Sequence, residues 1–146
     1  MRLGDFAPNG SSRVRLSRLL KGKEVVLRGI SALKYMELFD DEPFAFEEPI
    51  FVYAKERLLE DNLMVKMIDN FDLIDYNEDW DIACSTLNQV VNDMLSEPEL
   101  MHRDALVESL ANYYEDEGSF EDIEVCESKK AEFEELKALA LVFYDA

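Results

Sequence analysis

Two cysteines in 146 residues, Cys84 and Cys126, are too few for a disulfide framework and form no Cys-x-x-Cys metal clip. A buried free thiol is the expected state of each, without redox chemistry. No apolar run approaches the roughly 20 residues that a membrane-spanning helix requires. Met1 to Gly10 also lacks the apolar core of a signal peptide, so a cytoplasmic protein is expected, with no membrane partner. Internal repeats and low-complexity tracts are absent from the sequence. Positive charge is scarce, with 15 Lys plus Arg against 33 Asp plus Glu, a net charge of −18. What is present is ample apolar material, 48% hydrophobic and 11% aromatic, which suffices for one packed core at this length and excludes disorder over most of the chain.

The charge is segregated. Residues 1–34 hold eight basic side chains (Arg2, Arg13, Arg15, Arg18, Lys21, Lys23, Arg28, Lys34) and two acidic ones, a net of +6. The remaining 112 residues hold 7 basic and 31 acidic, a net of −24. Such a surface repels phosphate and attracts cations over roughly 8 Å at physiological salt. Direct nucleic-acid binding by the body is therefore not expected, and the basic N-terminal residues are read as pairing with acids of that body.

Gly4, Pro8, Asn9 and Gly10 make residues 1–12 a flexible tail ahead of a single domain, 13–146. Val14, Leu16, Leu19 and Leu20 predict a short helix that Lys21-Gly22-Lys23 ends. Glu24 to Arg28 predicts a buried strand, followed by a helix capped by Ser31 and carrying Leu33, Tyr35, Met36, Leu38 and Phe39. Strands are predicted at Ile50 to Ala54, Leu63 to Ile68, Phe71 to Tyr76 and Trp80 to Cys84, with a hairpin turn at Asn77-Glu78-Asp79.

Ser85 or Thr86 caps the clearest amphipathic helix, with Leu87, Val90, Val91, Met94 and Leu95 on one face and Pro98 beyond its end. A helix from about Arg103 to Glu115 turns Leu106, Val107, Leu110 and Tyr114 inward, and Gly118 ends it. Ser119 with Asp122 suggests a capping box for a short helix through Cys126. The last helix, from about Ser128, turns Phe133, Leu136, Ala140 and Phe143 inward. Strands first and helices later predict an α+β fold, a small mixed or antiparallel sheet followed by a C-terminal helical half.

Chemical motifs are thin. Asp75-x-Asn77-x-Asp79-x-Asp81 alternates oxygen ligands as a calcium loop does, but Trp80 and Thr86 stand where that loop needs Gly and Glu. A solvated turn is the better reading. Gly118-Ser119 with Asp122 and Glu124 faintly resembles the nucleotidyltransferase signature, yet its spacer is too short for two acids to share magnesium across strands. His102 is the one residue able to act as a base near neutrality without a large shift, and no nucleophile elbow or Cys-His pairing accompanies it. No enzyme activity, cofactor or metal is expected.

The acidic runs Asp40-Asp41-Glu42, Glu47-Glu48, Glu115-Asp116-Glu117 and Glu132-Glu134-Glu135 are individually solvated faces. Their sum costs self-repulsion that solubility alone does not require, and points to a cationic partner. Most aromatics, Tyr113 and Tyr114 included, are read as core. The loop from Asp40 to Pro49 is the best partner-binding candidate. Asp40, Asp41, Glu42, Glu47 and Glu48 would steer a basic surface, and Phe44 and Phe46 between them would anchor it.

Arg28-Gly29-Ile30-Ser31-Ala32-Leu33-Lys34-Tyr35-Met36-Glu37-Leu38 resembles the strand and Ser-Ala-Leu-type helix of the AbiEi-type antitoxins of type IV toxin-antitoxin systems, a family linked to phage defence. Ile50 to Ala54 and Leu63 to Ile68 resemble its β-rich stretch. Ser85-Thr86-Leu87-Asn88-Gln89 resembles its Arg-Thr-Leu-x-Asp-like helix start, with Ser85 for the Arg and Gln89 for the Asp. Leu106 to Tyr114 resembles the next helix, and the similarity covers residues 24–142. The family normally begins with a winged-helix DNA-binding domain, for which the 23 residues ahead of the first strand leave no room, so autorepression is not expected. The resemblance implies a non-enzymatic antitoxin-like protein that counteracts a toxin or defence component through protein contacts. The alternative is a phage-encoded anti-defence inhibitor, an acidic DNA mimic that binds a nuclease or other nucleic-acid-binding protein.

Overall fold

The computed structural model describes residues 16, 18–39, 49–58, 62–78 and 81–145. The tail 1–12, the partner-binding candidates from Asp40 to Glu48, and Asp79 with Trp80 lie outside them. Leu16 and residues 18–20 are helical, Leu16 and Leu20 are buried, and Gly22 turns the chain at φ 78°. Strand β1, Val25–Leu27, follows, with all three residues buried. Helix α1, Gly29–Tyr35, starts without a side-chain cap. Ser31 is not its cap. It lies one turn inside, where its Oγ accepts the Phe51 N–H at 2.9 Å and ties the helix to the sheet. The helix ends at Tyr35, short of Leu38, and Glu37 beyond it turns the chain at φ 61°.

Strands β2, Ile50–Ala54, and β3, Leu63–Met67, follow where strands are predicted, β3 one residue shorter than expected. Phe71 to Tyr76 is not a strand. Asn70 Oδ1 accepts the Asp72 N–H at 2.9 Å, a local turn that competes with pairing, and Phe71–Leu73 coils as a 3₁₀ turn. Pairing resumes only over β4, Tyr76–Asn77, and β5, Cys84–Ser85. The sheet is mixed, in the order β3-β2-β1-β5-β4. Strand β1 is central, antiparallel to β2 (Leu27 opposite Val52) and parallel to β5 (Leu27 opposite Cys84). The pair β2 and β3 is parallel, and β4 and β5 are antiparallel.

The second half is helical: α2, Leu87–Ser96; α3, Arg103–Glu117; and α4, Lys130–Leu141, after a 3₁₀ turn at Glu127–Lys129. The fold is thus α+β, a mixed sheet followed by a helical half. Thr86 caps α2 by accepting the Gln89 N–H at 3.2 Å and donates to Asp75 Oδ2 at 2.7 Å. His102 caps α3 through Nδ1, which accepts the Ala105 N–H at 3.2 Å, and Gly118 closes it at φ 78°.

No helix forms between Ser119 and Cys126. Asn88 Oδ1 accepts the Glu124 N–H, and Asn92 Nδ2 donates to the Glu124 carbonyl, both at 2.8 Å, so α2 supplies partners that a helix would otherwise provide. Leu87, Val90, Val91, Met94, Leu106, Val107, Leu110, Phe133, Leu136 and Ala140 enter the core with the sheet and α1. Tyr114 and Phe143 do not: both are exposed, Phe143 because α4 ends at Leu141. Cys84 is buried, whereas Cys126 is exposed, against the expectation of a buried thiol. Among the described residues no helix is long and apolar enough to cross a membrane.

Candidate functional site

The densest polar arrangement surrounds Arg28, between β1 and α1. Its guanidinium lies 4.4 Å from the centre of the Tyr53 ring on β2, pairs with Glu97 at the end of α2, and stands 3.7 Å from Asp93. The Tyr53 hydroxyl donates to Asp93 Oδ2 at 2.5 Å, and Gln89 Nε2 donates to Asp93 Oδ1 at 2.9 Å. The Gln89 carbonyl oxygen accepts the Asp75 N–H at 2.8 Å, which continues the chain of contacts to the start of β4. Arg28, Tyr53 and Asp93 are 4%, 4% and 7% exposed. Burial raises the Asp93 carboxyl above its ordinary value, opposed by hydrogen bonds from Tyr53 and Gln89 and by Arg28. Burial, then the bond to Asp93, raises the Tyr53 phenol.

A buried Arg with two carboxylates is costly to desolvate, and the ring and hydrogen bonds around it make it tolerable. With Arg28, Tyr53 and Asp93 buried and Gln89 and Glu97 half-buried at its rim, the cluster cross-links the sheet to α2. Of the eight basic residues near the N-terminus expected to pair with acids of the body, Arg28 does so here. Sequence reasoning did not single out Tyr53, Asp93 or Glu97. The signal available was Asp93 three residues after Val90 and Glu97 three after Met94, carboxylates on the flank of the apolar stripe of α2.

The other sequence candidates are scattered. Among the described residues no group of three or more His, Cys, Asp and Glu could hold a metal ion. Asp75, of the calcium-like run, is engaged by Thr86. Asp122 accepts from the Tyr113 hydroxyl at 3.4 Å and caps nothing. Cys126 Sγ lies 3.3 Å from Ser128 Oγ, a contact that lowers its thiol. A cleft of about 700 Å³ opens beside β1 and β4, lined by Lys21, Lys23, Glu24, Phe71, Tyr76 and Asp81 among others. It joins charges of both signs to an aromatic pair and holds no nucleophile with an adjacent base.

The surface of the helical half has a more definite character. Residues 97–145 carry 15 acidic and 4 basic side chains. Glu115, Asp116, Glu117, Glu121, Asp122, Glu124, Glu132, Glu134 and Glu135 are all exposed. Exposed aromatic and aliphatic groups interrupt the acids. Tyr114 stacks on Phe120 with ring centres 5.0 Å apart, and Leu139, Leu141, Val142, Phe143 and Tyr144 emerge at the end of α4. Comparisons with protein-family models, curated proteins and solved structures give no match.

Proposed function

We propose that the protein is a small non-enzymatic antagonist that binds the basic surface of a protein partner, in the manner of an antitoxin counteracting a toxin or defence component. The observation that carries this reading is the exposed acidic surface of the helical half, 15 acids against 4 bases over residues 97–145, interrupted by exposed apolar groups. An acidic field raises the association rate with a cationic protein, and apolar groups within it supply desolvated contact after docking. The buried Arg28 cluster supports the same reading indirectly, since the most elaborate polar chemistry in the fold serves cross-linking.

The resemblance to the AbiEi-type antitoxins names the class of partner, a toxin encoded beside the antitoxin. The test is co-expression of the chain with the product of an adjacent toxin gene, scored by growth and then by complex formation with the purified pair. Neutralising Asp40, Asp41, Glu47 and Glu48 together is expected to slow association and flatten its salt dependence. Phe44→Ala with Phe46→Ala is expected to speed dissociation by about 2 kcal/mol or more. Toxicity unrelieved at equal expression, with no complex at low salt, would overturn the antitoxin reading.

A further inference from the structure

Leu139 on α4 and Phe143 in the turn beyond its end stand together on the side that faces α3. With Val107 they form the apolar lining of a hollow of about 270 Å³, whose remaining lining residues are Arg103, Asp104 and Glu108. Leu139 is 42% and Phe143 37% exposed, although Leu136 and Ala140 beside them are buried. Exposed apolar groups gathered on one helix end mark an interaction surface more often than scattered ones do. The surface is also held in shape. The Tyr144 ring meets Phe143 edge to face at 5.0 Å, and its hydroxyl donates to Asn112 Oδ1 on α3. Asn112 Nδ2 donates in turn to the Leu38 carbonyl at 2.6 Å, beyond α1. Such preorganisation reduces the ordering cost of binding.

Charge decides between occupants. A second copy would bring one acidic half against another, each chain carrying −18. A cationic partner gains where a copy loses, because the helical half around the hollow carries 15 acidic side chains against 4 basic ones. We infer that the hollow between α3 and α4 is a docking site for a basic amphipathic helix of a protein partner, an apolar side chain seated against Val107, Leu139 and Phe143 and a Lys or Arg beside Asp104 and Glu108. This rests on the proposed antagonist role and names the face that performs it.

The probe is a synthetic helical peptide with leucines on one face and lysines on the other, titrated into the full chain while methyl NMR signals are followed. A second peptide carries glutamates in place of the lysines. The lysine peptide is expected to shift Val107 and Leu139, and the glutamate peptide is expected to leave them unmoved. Leu139→Ser with Phe143→Ser is expected to weaken the lysine peptide by about tenfold or more, the size of a lost anchor. Circular dichroism checks that this variant is folded. Asp104→Asn with Glu108→Gln is expected to flatten the salt dependence. Four results overturn the inference: shifts confined to another face, equal binding of both peptides, no binding at low salt, or a dimer that the Ser pair abolishes. None of them touches the co-expression result, which judges the antagonist role separately. If toxicity is relieved and the Ser pair still binds the toxin as tightly as the native chain, the role stands and this face is wrong.

Discussion

Asp93→Ala is the most informative single substitution in the fold. Asp93 accepts from the Tyr53 hydroxyl at 2.5 Å and from Gln89 Nε2 at 2.9 Å, and faces the Arg28 guanidinium at 3.7 Å. Truncation leaves a buried hydroxyl without its acceptor and a buried guanidinium with one carboxylate in place of two. Removing one partner of a buried ion pair costs about 3–5 kcal/mol. Arg28 keeps Glu97, and half-buried Gln89 can turn to water, so the lower end applies, about 3 kcal/mol. For a domain of this size that lowers the melting temperature by roughly 6–12 °C. Asp93→Asn keeps the shape and one acceptor oxygen, and is expected to cost about half as much.

The assay is urea unfolding followed by circular dichroism at pH 7, repeated at lower pH. Burial raises the native Asp93 carboxyl, so between the ordinary carboxylate value and the raised one the native chain holds a proton that the unfolded chain has released. Stability from this group is therefore full below the ordinary carboxylate value and falls as pH rises through the raised native one. Asp93→Asn should lose that slope. A loss under about 1 kcal/mol for Asp93→Ala, below the range for a broken buried pair, would refute the view that the cluster binds the sheet to α2.

The Tyr53 phenol is raised by burial and by its bond to Asp93, so stability should hold below pH 10.0, the ordinary phenol value, and fall above it as the unfolded chain ionises first. Alkaline melts of Tyr53→Phe should show a smaller fall, the part due to Tyr113, whose phenol burial also raises, remaining. Gly29→Ala meets two penalties, φ 59° and a Cβ 2.9 Å from Leu100 Cδ1, and thermal melts should show it costing about 2 kcal/mol. Gly118→Ala, at φ 78° in open space, should cost about 1 kcal/mol and serves as the control. Thr86→Ala removes the cap of α2 and its bond to Asp75 and should cost about 1 kcal/mol in the same melts, with no loss taken as evidence that another group caps the helix.

Local pattern explains which parts of the fold were legible. The stripe Leu87, Val90, Val91, Met94 and Leu95 carries its own periodicity and the runs at Ile50 to Ala54 and Leu63 to Ile68 their own β-rich composition, and all three form, the last ending at Met67. Errors fall where a distant or competing polar group decides. Asn88 and Asn92 reach across to Glu124 and remove the need for a helix there, and Asn70 bends the chain where β-rich residues suggest a strand. Ser31 has the composition of a cap but serves the Phe51 amide. The Arg28 set is the extreme case, since its members come from the end of β1, from β2 and from α2, and no spacing joins them.

The central position of β1 bears on synthesis. Its parallel neighbour, β5, does not leave the ribosome until more than fifty residues after Leu27, which takes several seconds at roughly 5–20 residues per second. Over that interval Val25–Leu27 has only β2 to pair with, and one edge of three apolar residues stays open to other nascent chains. Glu24 and Arg28 bracket the run with opposite charges, a placement that discourages edge-to-edge aggregation. Arg28 gains its two carboxylate partners only when Asp93 and Glu97 have been made. A chain stalled before Cys84 should accordingly depend on chaperones far more than one stalled after Ser96.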